Sequence, residues 1–481
     1  MDGFIGRSDE LQMLEHLYDS QRSPACAIYG RRRIGKTTLI ERFCEGKPHV
    51  IMEVSGGTRT ATMDGLRRDL SGFAGRDVGQ LSGPRDLTDV LETVSADRRV
   101  VIVLDEFPRL VELFEETPGV FQRYIDLKLG RQNAMLIICG SSIKAMSEEL
   151  SDSSRPLFGR FNPRFRLEPM PYTDARLFHE GMSEEDRIRM YCICSGIPMY
   201  HTIMDRPTVR ENISEVLLGN GGLRTEAEDA LSRELTSWRS CRAVLTAISE
   251  GIVSPGDIAE ALGISVVTVQ KHLDDLALSG FIEEYVPWGQ KRPRMYRIVD
   301  GIQLFHYDVR KGRDSAFPVG DPSRGYDTLL PHIETFYGRR FESVCMQYLR
   351  GIANVESIGS WAGRVPRMRF GKVEVNEAGK PIMEDVDVDI VARIREDRRV
   401  VTAFGECKFT SYRCGEEILD ELIRRSSHIS DSDNRRYYIF SRSGFMPELV
   451  ERARSGTEDV VLVGMDDFAA WAEGRARTFV S

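Results

Sequence analysis

The segment Ala25-Cys26-Ala27-Ile28-Tyr29-Gly30-Arg31-Arg32-Arg33-Ile34-Gly35-Lys36-Thr37-Thr38-Leu39-Ile40 constrains this chain more than any other. Its first five residues read as a short buried strand and the residues after Gly35 as the start of a helix. The GxxxxGKT string therefore sits on a strand-to-helix turn, the context a phosphate-binding loop requires. Gly30 and Gly35 permit the tight path, and the amides of the turn and the helix N-terminus favour an anion. Lys36 neutralises phosphate charge, and the Thr37 hydroxyl suits magnesium. ATP and Mg2+ are the expected ligands, with Gly30, Arg31, Arg32, Arg33, Ile34, Gly35, Lys36, Thr37 and Thr38 around them.

Two further strands complete that chemistry. Val100 to Leu104 reads as a buried parallel strand with Asp105 and Glu106 at its carboxyl end, where open α/β sheets place their ligands. Asp105 is expected to hold hydrated magnesium and Glu106 to orient the attacking water; the alternative is an acidic strand cap. Ala134 to Cys139 ends in Gly140-Ser141-Ser142 and is expected between the other two strands. Ser141, first after the turn, is the favoured sensor of phosphate or water, and Ser142 its rival. Arg160, after Gly159, is the candidate guanidinium for the transferring phosphates, with Arg155 its competitor and a surface ion pair the alternative.

Composition narrows the remaining classes. A chain of 481 residues, 41% hydrophobic and 29% charged, is expected to form several domains rather than a disordered tail. Its longest apolar runs fall far short of the roughly 20 residues that span a bilayer, so no membrane insertion is expected. The opening MDGFIGRSDELQML lacks the apolar core of a secretion signal, which points to a cytoplasmic protein. Nine scattered cysteines without a CxxC pair favour buried free thiols over zinc or disulfides. The net charge of -9 argues against global attraction to nucleic acid, while leaving a local basic face open.

The ordered set FIGRSDEL (4–11), IYGRRRIGKTTLI (28–40), VIVLDEF (101–107), LIICGSS (136–142), PLFGR (156–160) and SGIPMY (195–200) resembles one family. It is the prokaryotic, mainly archaeal, group of AAA-like P-loop ATPases in the signal-transduction branch, whose C-terminal part resembles a nuclease. The resemblance implies that Gly6 and Arg7 pack near the nucleotide base and that Pro198 belongs to a helical lid.

Beyond about residue 175, mixed apolar and charged spacing predicts lid helices. Residues 241–300 then read as a winged helix-turn-helix. Ser254-Pro255 opens a short helix, Gly263 makes the turn, Ser265 starts the recognition helix and PWGQKRPR forms the wing. Thr268, Gln270, Lys271 and His272 are placed to face a major groove, and Lys291, Arg292 and Arg294 to meet phosphate or the minor groove. His272 alone lacks companions for a metal site and reads as a helix-surface or packed histidine. The module holds six Lys or Arg against eight Asp or Glu, so protein docking stands beside DNA as a partner.

In the last third, apolar-rich runs flank REDRR and predict a β-hairpin centred between Asp397 and Arg398. That register sets Asp389 opposite Glu406, where two carboxylates repel unless a cation or proton intervenes. Lys408 shares the face of Glu406, and Glu342 joins from the preceding helix. Asp389 with Glu406-Cys407-Lys408 resembles the metal-dependent restriction-endonuclease core, without a proline before Asp389. The resemblance implies that Asp389 and Glu406 bind magnesium, that Lys408 positions water or stabilises charge, and that Glu342 is auxiliary.

The expected fold class is a multidomain α/β chain. It has a P-loop NTPase parallel sheet (1–175), a helical lid (176–240), a winged helix-turn-helix (241–300), a connecting segment (301–335) and a restriction-endonuclease-like α/β domain (336–481). The expected function is an ATP-binding and ATP-hydrolysing switch coupled to a DNA-associated, nuclease-like module. The alternative is a nucleotide-regulated DNA-binding or transcription-control protein with a silent C-terminal site. Self-association or a protein partner accompanies either.

Overall fold

The computed structural model describes residues 4–20, 24–55, 57–94, 99–290, 294–313, 322–369, 372–429 and 434–474. The chain divides into two compact units. One comprises Met1–Met170 with Ile197–Tyr200, the other Pro171–Gly196 with His201–Ser481.

The first unit is built on a five-stranded parallel sheet. Its strands are β1 (Ala25–Tyr29), β2 (His49–Glu53), β3 (Val100–Asp105), β4 (Ala134–Gly140) and β5 (Arg164–Arg166), in the order β2-β3-β4-β1-β5. Every residue of β3 and β4 is buried, as uninterrupted apolar strands are when helices cover both sheet faces. The order inserts β4 between β1 and β3, as the sequence led us to expect. The carboxyl ends of all three consequently meet along one edge, with Gly140 paired to Tyr29 and Leu104 to Ile138.

The second unit contains helices Trp238–Ser249, Pro255–Leu262 and Val266–Leu278, followed by the antiparallel strands β6 (Ile282–Tyr285) and β7 (Met295–Ile298). Ser254 and Ser265 cap the second and third helices by accepting the amides of Asp257 and Thr268. Gly263 ends the second at φ +65°. Ile258, Val269, Leu273, Leu276, Phe281 and Tyr296 form the core beneath them.

The expected connecting segment, 301–335, is instead largely helical. A short helix, Gly301–Phe305, runs into a π-helical turn, His306–Arg310, and a 31-residue helix, Pro322–Ile352, begins well before residue 336. Two physical reasons account for the difference. Gly301 lies so close to the main chain of Cys192 and Ile193 that no side chain fits there, which buries the segment as core. The long helix also passes through Pro331, a residue that ordinarily marks a helix boundary.

A second five-stranded sheet follows. Strands β8 (Val355–Pro366), β11 (Met383–Glu396), β12 (Arg399–Lys408), β13 (Arg435–Ser441) and β14 (Val460–Val463) lie in the order β14-β13-β12-β11-β8. A two-residue pair, β9 (Met368–Arg369) and β10 (Lys372–Val373), stands apart from it. β8, β11 and β12 run antiparallel, whereas β12, β13 and β14 run parallel. The hairpin β11–β12 has the expected register, Glu396 opposite Arg399 through Ile390 opposite Gly405. Its turn is made by Asp397 at φ +47°.

Candidate functional site

The first site lies at the ends of β1, β3 and β4. Gly35 takes φ +88°, a left-handed conformation suited to glycine, and its missing Cβ would lie 3.7 Å from Pro198. A Cβ on Gly30 would fall 2.7 Å from the Leu167 carbonyl oxygen, itself in the segment that extends β5. Arg7, at φ +60°, ties the N-terminal segment to this loop by donating to the Ile34 carbonyl (3.3 Å) and the Glu168 carbonyl (2.6 Å). Gly30→Ala is therefore expected to force the loop away from Leu167. We expect a cost of about 1–3 kcal/mol, visible as a lower Tm for this unit and weaker nucleotide binding.

A run of hydrogen bonds crosses the site. Lys36 Nζ donates to the carbonyls of Gly30 (2.9 Å) and Arg31 (3.1 Å), and its side chain is buried. Thr37 Oγ1 donates to Asp105 Oδ2 at 3.1 Å, while Asp105 Oδ1 accepts the Glu106 amide at 2.9 Å. Glu106 is held at φ +55°, a left-handed conformation costing on the order of 1–3 kcal/mol for a residue with a side chain. Its Oε2 accepts the Ser141 hydroxyl at 3.0 Å and the Ser141 amide at 3.4 Å. Arg32 Nε reaches the same hydroxyl at 3.5 Å.

The two serines are thereby separated. Ser141 engages Glu106, whereas Ser142 caps the helix Ile143–Ser151 by accepting the Ala145 amide. Ser141→Ala removes one hydrogen bond from Glu106 and is expected to slow ATP turnover by roughly tenfold or less. Steady-state kinetics at saturating ATP will measure it.

Arg160 does not join this set. Its guanidinium makes a forked pair with Asp126 (2.9–3.2 Å) and also donates to the carbonyls of Pro156 and Phe158. That is the ion pair weighed against a catalytic role. Arg155 likewise pairs with Glu149 at 3.2 Å.

The second site belongs to the C-terminal sheet. Pairing of β11 with β8 is interrupted by a bulge between Val388 and Val391, and Asp389 lies in it. Bulges re-aim side chains in this way. Asp389 Oδ2 accepts the Cys407 amide at 2.8 Å, one step beyond the last regular pair of the hairpin. Glu406 is buried, and its Oε1 accepts Lys408 Nζ at 2.5 Å. Its Oε2 is buried without a hydrogen-bond partner and lies 3.6 Å from Arg425 Nη1. Arg425 and its partner Glu421 (2.8 Å) escaped the sequence reading. Their i,i+4 spacing on an amphipathic helix just after the acidic strand was the available signal.

Burial pushes the Asp389 carboxyl up to about 7, helped by the charge of Glu406. Burial and then Asp389 push Glu342 up to about 8, with Arg297 opposing. For Lys408, burial lowers the ammonium, but the charge and hydrogen bond of Glu406 together with the charge of Asp389 more than offset it and the net direction is up. Among the described residues no three His, Cys, Asp or Glu side chains meet in a metal-binding group. The expected magnesium ligands Asp389, Glu406 and Glu342 thus share a strong field without forming a ready coordination sphere.

Both acids retain protons in the fold that the unfolded chain gives up near pH 4. Their contribution to stability is therefore fully present at acid pH and lost as pH rises through about 7 to 8. Thermal unfolding between pH 5.5 and 8.5 should show a declining Tm for this unit, with a shallower decline in Asp389→Asn.

The residues expected to meet nucleic acid differ in their surroundings. Thr268 and Lys271 are exposed. The Gln270 amide is instead committed to Asp274 (2.8 Å) and the Tyr296 hydroxyl (3.1 Å), because the helix packs its side against β7. Arg294 is 67% exposed and pairs with Glu284 at 3.3 Å, while Lys291 and Arg292 lie outside the described residues. His272 is packed, with Nδ1 3.8 Å from the Cys241 sulfur. All nine cysteines are buried and free.

Comparison with known proteins agrees with the first site. Residues 4–200 match the family model described as an ATPase domain predominantly from Archaea. An uncharacterised protein of Methanocaldococcus jannaschii is 23% identical over 475 residues, 97% of this chain and 100% of the relative. An uncharacterised ATP-binding protein of the same organism is 43% identical over 44 residues, 9% of this chain and 75% of that one. Among solved structures, the Walker-type ATPase of Pyrococcus abyssi covers 63% of this chain and 95% of its own, at 18% identity and a TM-score of 0.48. Residues 4–200 thus match an archaeal ATPase domain model, and within them Lys36, Thr37, Asp105 and Glu106 are arranged as in a P-loop site.

Proposed function

We propose that this protein is an ATP-hydrolysing switch whose nucleotide state controls a nucleic-acid-directed C-terminal module. The observation that carries the reading is the connected set Thr37–Asp105–Glu106–Ser141 beside Lys36. Lys36 is positioned to exchange the Gly30 and Arg31 carbonyls for phosphate oxygens. The paired oxygens of Thr37 and Asp105 fit a hydrated magnesium ion, which would neutralise phosphate charge when bound. Glu106, steadied by Ser141, orients and polarises the attacking water. Calorimetric titration tests the binding half: the wild-type chain should take up ATP, and Lys36→Ala should bind it far more weakly. Equal affinity in both would reject the loop as the site.

A second reading, metal-dependent phosphodiester hydrolysis, is favoured by the buried Glu406 Oε2, which accepts no hydrogen bond and faces Arg425 at 3.6 Å, beside Asp389 and Lys408. The hard carboxylate oxygens of Asp389 and Glu406 suit a divalent cation, which would polarise the phosphate and lower the cost of developing charge. Lys408 would stabilise that charge or position water, with Glu342 auxiliary. Residues 241–300 read best as a winged helix-turn-helix, supported by their element order and by the exposed Thr268 and Lys271. DNA is the partner this reading favours.

A further inference from the structure

Residues 287–290, the described start of the expected wing, are engaged inside their own unit. Pro287 is buried and Trp288 half-buried on the arm that leaves β6. The Trp288 amide donates to the Ser360 carbonyl at 2.8 Å, and Gln290 Nε2 donates to the Ala362 carbonyl at 3.5 Å. The Trp288 ring packs on the apolar cluster that includes Val388 and Phe404, as does Trp361. Ser360 and Ala362 belong to β8, the edge strand of the C-terminal sheet. The wing thus covers acceptors that a sheet edge otherwise leaves open.

The docking point matters for the acidic site. Pairing of β8 with β11 passes from Trp361 opposite Val388 to Gly359 opposite Val391, which sets Ser360 across from the bulge that carries Asp389. On the far side of the wing, β7 brings Arg297 to a cavity of about 290 Å³ that is also lined by Arg339, Arg340 and Glu342. Arg297 is further held by Glu283 at 2.5 Å. The arm that a winged helix would extend along a duplex is fastened here by a tryptophan anchor and a main-chain hydrogen bond.

We propose that the wing is an autoinhibitory strap: its docking on β8 and the binding of duplex nucleic acid by the helix-turn-helix are alternatives. While docked, the strap braces β8 against the Asp389 bulge and holds residues 287–290 off a duplex. The inference rests on the reading of residues 241–300 as a nucleic-acid-binding module. A ligand that binds only the undocked form has its affinity lowered by the undocked fraction, so loosening the anchor tightens binding.

The test uses the full chain and a fluorescent duplex, with anisotropy read over a salt series. Trp288→Ser is expected to bind about tenfold more tightly than wild type, with a steeper salt dependence as the wing gains phosphate contacts. Arg294→Gln in that background should return part of the gain. In the opposite direction, Gln290→Cys with Ala362→Cys, joined by a short reducible thiol cross-linker, should lose binding and regain it on reduction. The buried native cysteines favour reaction at the new pair.

Wild type that binds duplex, with Trp288→Ser no tighter or the cross-linked chain no weaker, overturns the strap and spares the DNA reading. Should Trp288→Ser fail to fold, the cross-linked chain decides alone. Absence of duplex binding in wild type and Trp288→Ser alike removes the DNA reading and the strap with it. Self-association of Trp288→Ser without duplex binding would assign this face to protein contact and likewise overturn the strap.

Discussion

Replacing Glu106 by glutamine is expected to lower ATP turnover by roughly 10²- to 10⁴-fold while nucleotide affinity stays close to that of wild type. The amide keeps the shape of the side chain, and its oxygen still accepts the Ser141 hydroxyl that Glu106 accepts at 3.0 Å. It loses the charge that polarises water. Lys36→Ala acts on a different step, because it removes the ammonium now held between the Gly30 and Arg31 carbonyls and with it phosphate neutralisation. Turnover and binding measured on both variants should therefore separate. Near-normal turnover in Glu106→Gln would mean that the base lies elsewhere.

The second large effect is expected at the C-terminal sheet. Asp389→Asn removes a carboxylate that faces Glu406 across the hairpin, and Lys408→Ala leaves Glu406 Oε1 without the ammonium it now binds at 2.5 Å. Each should reduce metal-dependent phosphodiester cleavage by about 100-fold or more while ATP hydrolysis continues. Single-stranded, duplex, branched and RNA substrates should be compared with magnesium or manganese, with the nucleotide varied. Cleavage that survives both substitutions would belong to another site or to a contaminant. No cleavage by wild type under any of these conditions would leave the C-terminal sheet a binding or regulatory module. The two variants differ in stability as well. Asp389→Asn removes a charge that burial already disfavours, whereas Lys408→Ala strands a buried carboxylate.

The sequence was most informative where local pattern and chemistry coincide. The loop at Gly30–Thr37 needed only strand, glycine and lysine in order, whereas position favoured Ser141 over Ser142 only slightly and their hydrogen bonds separate them. The hairpin register, regular as far as Ile390 opposite Gly405, followed from the period of a strand and the centre of one turn. The same arithmetic could not reveal the bulge that aims Asp389, since a bulge depends on pairing with β8, a distant strand. The pairing of Arg160 with Asp126 was not legible in the sequence, because Asp126 lies 34 residues away and carries no local signature. The helix Pro322–Ile352 begins before the expected boundary at 336 and continues through Pro331, which local pattern does not announce. Gln270 was assigned to a groove from its helix position, yet the Tyr296 hydroxyl on β7 takes up its amide. Trp288 drew no notice as a wing residue, because nothing in the wing sequence shows that β8 receives it.

The most direct test of the central claim is phosphate release by the purified full chain at saturating ATP and magnesium, with and without duplex DNA. Glu106→Gln and Lys36→Ala would be measured in parallel. The site predicts release by wild type, strong suppression in Glu106→Gln despite retained ATP binding, and loss of both binding and release in Lys36→Ala. Wild-type protein that binds MgATP yet releases no phosphate, alone or with DNA, would contradict it.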